Sequence, residues 1–380
     1  MTTPRENLLA SLWCRDQQWI PVSPGLTPNE HPTRDIPEAL TDVFDPDNVT
    51  WGDHKRNAEL LLRLGDYLGA EDYFVPVNGP ADLQSESCAF RHEELDARSG
   101  RTTLSTPAGE LHQITVRVEG QPPMVTERFV KTVGDARILT EYFRSMKVVL
   151  NPKYRRDARD VRDMVGDRGV LFCRTSGTPL GMCYRIYFGL PELIYLLADE
   201  PAVMGDLFAC MEEKYLSLYD AMLEASPEID AYMGMDDTST TLISPAMFER
   251  YNVALTSARA DLCRRRDRLY LHHSCGLIRD LLPVYAKTSM SGVDAFTTPP
   301  VGNVGIVEGR SLLGPGYAIR TGLGRCPETM DAAGVRDRIA GRCDEARKAK
   351  HVVFTCGGGG GSSFTRMAMQ FEFAQQRKHF

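Results

Sequence analysis

The sequence predicts an α/β fold, a barrel of eight parallel strands with helices between them. Three observations carry that prediction. From about Asp135 onward, amphipathic helical stretches alternate with short apolar runs. Those runs are nearly continuous in apolar residues, the pattern of strands covered on both faces. Six of them follow residue 150 and two precede it, a number that favours a closed ring over an open sheet. The chain has 380 residues, so a single domain of this length has to be a large one such as a barrel.

The elements follow in order. Pro4–Trp13 has Leu8, Leu9 and Leu12 on one helical face. Gln18–Val22 is a brief apolar strand. Residues 23–53 are rich in Pro, Asp and Asn and form a lid loop. Ala58–Leu68 is a helix stopped by Gly69. Within 84–130, turn signals at Arg98-Ser99-Gly100-Arg101 and Pro107-Ala108-Gly109 separate alternating segments, which predicts an antiparallel β-ribbon decorating the barrel mouth. Then come helices over Ala136–Ser145 and Arg156–Val165, strand Gly169–Cys173 and the long helix Pro201–Ala225. Strand Ile229–Met235 ends in Asp236-Asp237. Ser244, with Pro245 behind it, caps a helix running to about Arg266. Strand Leu269–His273, helix Leu277–Thr288, strand Val293–Phe296, a short helix near Val304–Leu312, strand Tyr317–Thr321, helix Asp331–Lys350 and strand Val352–Thr355 complete the rhythm. The organisation expected is one barrel domain over 1–380, with N-terminal helices and lid loop over 1–70 and a ribbon insertion over 84–130.

Net charge is −7 with no basic stripe, which points away from nucleic acid. No apolar run approaches the roughly 18 residues that span a bilayer, and no signal-peptide segment opens the chain. The ten cysteines are scattered, as expected of reduced thiols in a cytoplasmic protein. No Rossmann or P-loop fingerprint sits at a strand-to-helix turn.

Active sites of such barrels lie at the C-terminal strand ends. His273-Ser274-Cys275-Gly276 closes one strand and Cys356 closes another. An imidazole nitrogen and thiolates suit zinc, although cysteine is also a common small core residue. His272 points the other way on its strand. Asp236 is a candidate general acid or base, a substrate-orienting group, a partner for His273, or only a turn aspartate. Asp237, Arg174 and Arg320 are candidates for substrate binding. The run Gly357–Gly361 reads as an anion-binding nest of amides or as a loop moving over the site.

Taken in order, Asp236-Asp237, Ile243-Ser244-Pro245-Ala246-Met247-Phe248, His273-Ser274-Cys275-Gly276 and Gly292-Val293-Asp294-Ala295 resemble the uroporphyrinogen decarboxylase superfamily, closest to its zinc- and corrinoid-linked methyltransferase branch. Thr106-Pro107-Ala108-Gly109 and Phe354-Thr355-Cys356-Gly357 are weaker matches in the same order. The resemblance implies a (β/α)8 TIM barrel, and a zinc ion held by His273, Cys275 and Cys356. It implies methyl transfer between a small molecule (a methoxy, methylamine or methylthio compound, or a thiol) and a corrinoid carried on a separate protein. No Asp-x-His-x-x-Gly cobalamin string occurs in this chain. The arginine-rich N-terminal segment of the decarboxylases is also missing, and Phe296-Thr297-Thr298-Pro299-Pro300 supplies no glutamate ligand. A metal-free decarboxylase or lyase using Asp236 and arginines, and a non-catalytic binding barrel, are the alternatives.

Overall fold

Eight parallel strands form one sheet that curls into a nearly closed ring: β1 (Val22–Pro24), β2 (Tyr73–Val77), β3 (Gly169–Ser176), β4 (Ala231–Met235), β5 (Leu269–His273), β6 (Gly292–Asp294), β7 (Ala318–Gly322) and β8 (Val352–Cys356). The structure is a computed structural model and describes all residues except 27–31, 46, 51, 120, 122, 325 and 358–361. Around the ring the strands follow in chain order, with β1 paired to β8 and β2 to β3. The seam between β1 and β2 is bridged by the Phe74 amide, which donates to Ser23 Oγ at 2.9 Å. The expected barrel is therefore the fold observed. The expected strand Gln18–Val22 starts four residues later and ends two later, as Val22–Pro24, and Tyr73–Val77 has no counterpart among the predicted runs.

Strand parity sorts the side chains. Phe74, Val170, Phe172, Ala231, Met233, Leu269, Leu271, Ala318 and Val353 pack together inside the ring. Leu8 and Leu12 of helix Pro4–Leu12 join them, both fully buried. That helix is opened by a Thr3–Glu6 capping box, and its two leucines close the N-terminal end of the barrel. By the same parity His273, Arg174 and Arg320 continue the inward rows towards the C-terminal mouth, whereas His272 and Cys356 lie on the outward rows.

Local signals account for the surrounding helices. Asp53 caps His54–Leu68 through the Arg56 amide, and Gly69 ends it at φ 68°, a left-handed conformation that suits glycine. Ser244 accepts from the Met247 amide, with Pro245 at the first helical position. The helix expected from 244 to 266 is broken at Asn252 into Pro245–Tyr251 and Val253–Arg264. Among the described residues of the segment after β1 there is a short turn at Glu38–Leu40, and Leu40, Val43, Phe44 and Val49 are buried, with Phe44 meeting Phe364 edge-on. A C-terminal helix, Phe364–Arg377, was not anticipated.

A second compact unit comprises residues 81–151 and 176–222. It holds the antiparallel sheet Ala89–Glu94, Ser99–Thr106, Gly109–Val116 and Met124–Glu127, together with the pair Ala81–Gln84 and Lys147–Leu150. Leu104 and Leu111 face each other across one hairpin and are buried. Among the described residues, no helix is long and apolar enough to cross a membrane.

At the N-terminal end of the barrel, Asp230 immediately precedes β4 and is buried. Its carboxylate pairs with both Arg5 and Arg162 and accepts the Leu171 amide at 2.9 Å. Removing one partner of a buried charge cluster strands the others. Asp230→Ala is expected to lower unfolding stability by about 3–5 kcal/mol in a urea titration. Asp230→Asn should cost less.

Candidate metal centre

The site grows from the C-terminal ends of three adjacent strands. In register, His273 lies between Met235 on β4 and Asp294 on β6. Its Nδ1 is 2.5 Å from Asp294 Oδ2, and its Nε2 is 3.0 Å from Asp237 Oδ1. Cys275 lies two residues beyond and is exposed, with its Sγ 3.9 Å from the same Asp237 oxygen. The donor atoms of Asp237, His273 and Cys275 all lie within 4.8 Å of one another.

Backbone geometry explains how the three meet. Asp237 leaves β4 at φ 51°, a left-handed value that aspartate adopts more readily than most residues. Its amide donates to the His273 carbonyl at 3.1 Å. Gly276 turns the chain after Cys275 at φ 93°, and a Cβ there would lie 3.2 Å from Ser239 Oγ. The turn is held by the Gly276 amide on Thr297 Oγ1 at 3.1 Å and the Leu277 amide on Ser239 Oγ at 3.2 Å.

The charges interlock. Asp294 is buried, and its Oδ1 pairs with Arg320 Nη1. Burial alone would raise this carboxyl. The Arg320 and His273 cations reverse the effect and hold it well below the ordinary carboxylate range. Burial pulls the His273 imidazole towards its neutral form, but hydrogen bonds to Asp237, Asp294 and Cys275 prevail and raise its pKa to about 11. Arg320 lies over the Phe74 ring at 4.4 Å. Arg174 lies over Phe172 at 5.4 Å. Burial, and then the charge of Arg174, lower the pKa of His54 to about 4. His54 had no role in the sequence reading, and its Nδ1 is buried with no hydrogen-bond partner among the described residues.

The structure places two of the sequence candidates away from this cluster. Cys356 does not join His273 and Cys275. Its Sγ donates to the Met367 carbonyl at 3.6 Å, and burial pushes its pKa up to about 12. The reason is parity: Val353 points into the barrel, so Cys356, three residues on, points outward. Asp236, the candidate acid or base, is fully buried on the outward row. Its Oδ2 is 3.3 Å from His272 Nδ1, and the adjacent Asp237 takes the place at the mouth. His272 does face away from the mouth, as expected, and meets the rings of Phe248 and Tyr285. Arg320 is engaged by Asp294 rather than facing the mouth with its charge unspent. Asp294 lies in the Gly292–Ala295 match, and the sequence alone assigns it no role. Counting two residues beyond each inward β4 and β5 side chain would have selected Asp237 and Cys275. Residues 358–361 of the glycine run lie outside the described residues.

The three donors fit a zinc ion. They offer nitrogen, sulfur and oxygen, the ligand types zinc accepts, and His273 has its second nitrogen on a carboxylate, as metal-bound imidazoles commonly do.

No protein-family model matches the chain, and no curated protein sequence matches it. Solved structures do. The chain is similar to a B12-independent methionine synthase from Shewanella sp. W3-18-1 in complex with selenomethionine, at 11% identity and a TM-score of 0.50, covering 94% of this chain and 96% of that one. A putative vitamin-B12 independent methionine synthase from Listeria monocytogenes aligns at 12% identity, a TM-score of 0.44 and 93% and 96% coverage. A family 5 xyloglucanase from Paenibacillus pabuli aligns at 11%, 0.45 and 94% and 98%. At such identity the first likeness is one of fold.

Zinc-loaded protein is expected to retain about one ion per chain by elemental analysis after desalting. His273→Ala and Asp237→Ala should lose it while keeping the wild-type circular dichroism spectrum. Cys356→Ser should keep it. Loss of zinc from Cys356→Ser alone would restore Cys356 as a ligand.

Proposed function

We propose that this chain is a zinc-dependent methyltransferase that moves a methyl group between small molecules, with a thiol as acceptor. The observation that carries the reading is the convergence of Asp237, His273 and Cys275 at the barrel mouth, with His273 Nδ1 held on Asp294. Asp237, His273 and Cys275 would hold zinc with three protein ligands, the number usual at catalytic sites that also take substrate. When bound there, zinc supplies the Lewis acidity that keeps a thiol deprotonated at neutral pH.

The protein residues have separate tasks. His273 presents Nε2 towards Asp237 and Cys275, while Asp294 holds the proton on Nδ1. Asp237 and Cys275 offer anionic donors from the ends of β4 and β5. Arg174, inward on β3 and seated on Phe172, offers positive charge within the barrel for an acidic group of the substrate. Transfer then needs an in-line approach: the sulfur–carbon bond forms as the bond from the methyl group to the donor oxygen, nitrogen or sulfur breaks. The departing heteroatom keeps the electron pair and takes up the proton released when the thiol is deprotonated.

The fold likeness to a methionine synthase bound to selenomethionine supports a thiol acceptor, and makes homocysteine the first one to test. That protein is named as B12-independent, so direct transfer ranks ahead of the corrinoid-protein partner implied by the sequence resemblance. The metal-free decarboxylase reading relied on Asp236, whose carboxylate is buried against His272.

The test is transfer of isotopically labelled methyl from a panel of methoxy, methylamine and methylthio donors to homocysteine and other small thiols. Labelled thioether should appear with zinc-loaded protein and fall to background after chelation or in His273→Ala. Transfer that persists without metal would overturn the reading. Transfer that requires added cobalamin would replace direct transfer with the corrinoid-linked route.

A further inference from the structure

Arg320 is tied to the donors through one carboxylate. It lies on β7, two strands from His273, and the link runs through Asp294 on the strand between. Asp294 uses one oxygen for each neighbour: Oδ1 receives Arg320 Nη1, and Oδ2 lies 2.5 Å from His273 Nδ1. The carboxylate therefore cannot rotate towards one partner without leaving the other. Arg320 is itself seated, with its guanidinium 4.4 Å from the Phe74 ring centroid and 5.7 Å from that of Phe172. Those rings stack at 4.3 Å and 14°. The Arg320 Nε is buried and has no hydrogen-bond partner among the described residues, so Asp294 and the two ring faces set the plane of the guanidinium.

We propose that Arg320 is a positioning residue for the metal centre, clamping Asp294 so that His273 presents Nε2 rather than Nδ1 to the ion. The inference rests on the metal reading above and adds to it the device that fixes which imidazole nitrogen ligates. Without the guanidinium, Asp294 is a buried carboxylate free to turn, and the imidazole can flip about its Cβ–Cγ bond.

The test uses full-length protein labelled with 15N at histidine and loaded with 113Cd, read by cadmium–nitrogen coupling. Zinc affinity is measured separately by chelator competition. Wild type should couple through His273 Nε2. Arg320→Met should lose that coupling or transfer it to Nδ1, with zinc affinity falling about 10- to 100-fold. Arg320→Lys keeps a cation but not the planar fork, and should fall between the two. A purely structural arginine would lower the unfolding midpoint and leave the Nε2 coupling and the affinity of folded protein unchanged. That result overturns the inference while leaving the metal reading intact. If Arg320→Met does not fold, Arg320→Lys decides, and wild-type coupling and affinity in that variant overturn the proposal. Absence of any cadmium–histidine coupling in wild type sinks the metal reading, and this inference with it.

Discussion

The buried carboxylate of Asp294, held between Arg320 and His273, is the interaction on which the mouth of this barrel depends. Taking three ionised groups out of water is costly, and only mutual pairing and hydrogen bonding offset it. Breaking the set at any point leaves a charge stranded. The same arrangement recurs at the other end of the ring, where Asp230 lies between Arg5 and Arg162. At the N-terminal end it only binds the first helix to the strands. At the C-terminal end one of the two cations is an imidazole, which can exchange a proton for a metal. Histidine in place of a second arginine is what separates this clamp, at the proposed metal centre, from the structural one.

A second polar layer lies outward of the mouth. Thr238 Oγ1 is 3.0 Å from His272 Nε2 and 3.0 Å from Ser274 Oγ, and it also meets the Tyr285 hydroxyl. Ser274 Oγ donates to the Thr238 carbonyl at 2.8 Å. Thr238 follows Asp237 directly, and Ser274 stands between His273 and Cys275. The hydroxyl network thus ties together the two loops that carry the donors. Burial, acting against the nearby Asp236 carboxylate, keeps the His272 pKa below its usual value. A neutral ring there can serve as a fixed hydrogen-bond partner without adding another buried cation.

Much of this was legible in the sequence. Near-continuous apolar runs, a serine cap followed by proline, and a glycine helix stop are local signals, and they located most of the strands and several helix ends. His273 and Cys275 were legible for the same reason: His273 ends the inward row of β5 and Cys275 follows two residues on, so one strand end orients both. Cys356 misled because a cysteine at a strand end looks like a ligand whichever way it faces. Its outward parity follows from Val353, whose orientation is known only once the ring is closed. Asp236 and Asp237 stand at the same strand end, and parity separates them: the second continues the inward row of Met233 and Met235.

The sequence by itself determined the barrel, the candidate end for a site, and a histidine at the end of β5 with a cysteine two residues beyond it. Those features depend on periodicity and on chemistry within a few residues of chain. Tertiary structure alone decided the third donor, the role of Asp294 and the partner of Arg320. Each depends on residues brought together across strands by register, with tens of positions between them in the chain. Side-chain identity shows what a carboxylate can do; its neighbours across the sheet decide whether it joins the candidate metal centre, steadies an imidazole or stays buried against a second histidine.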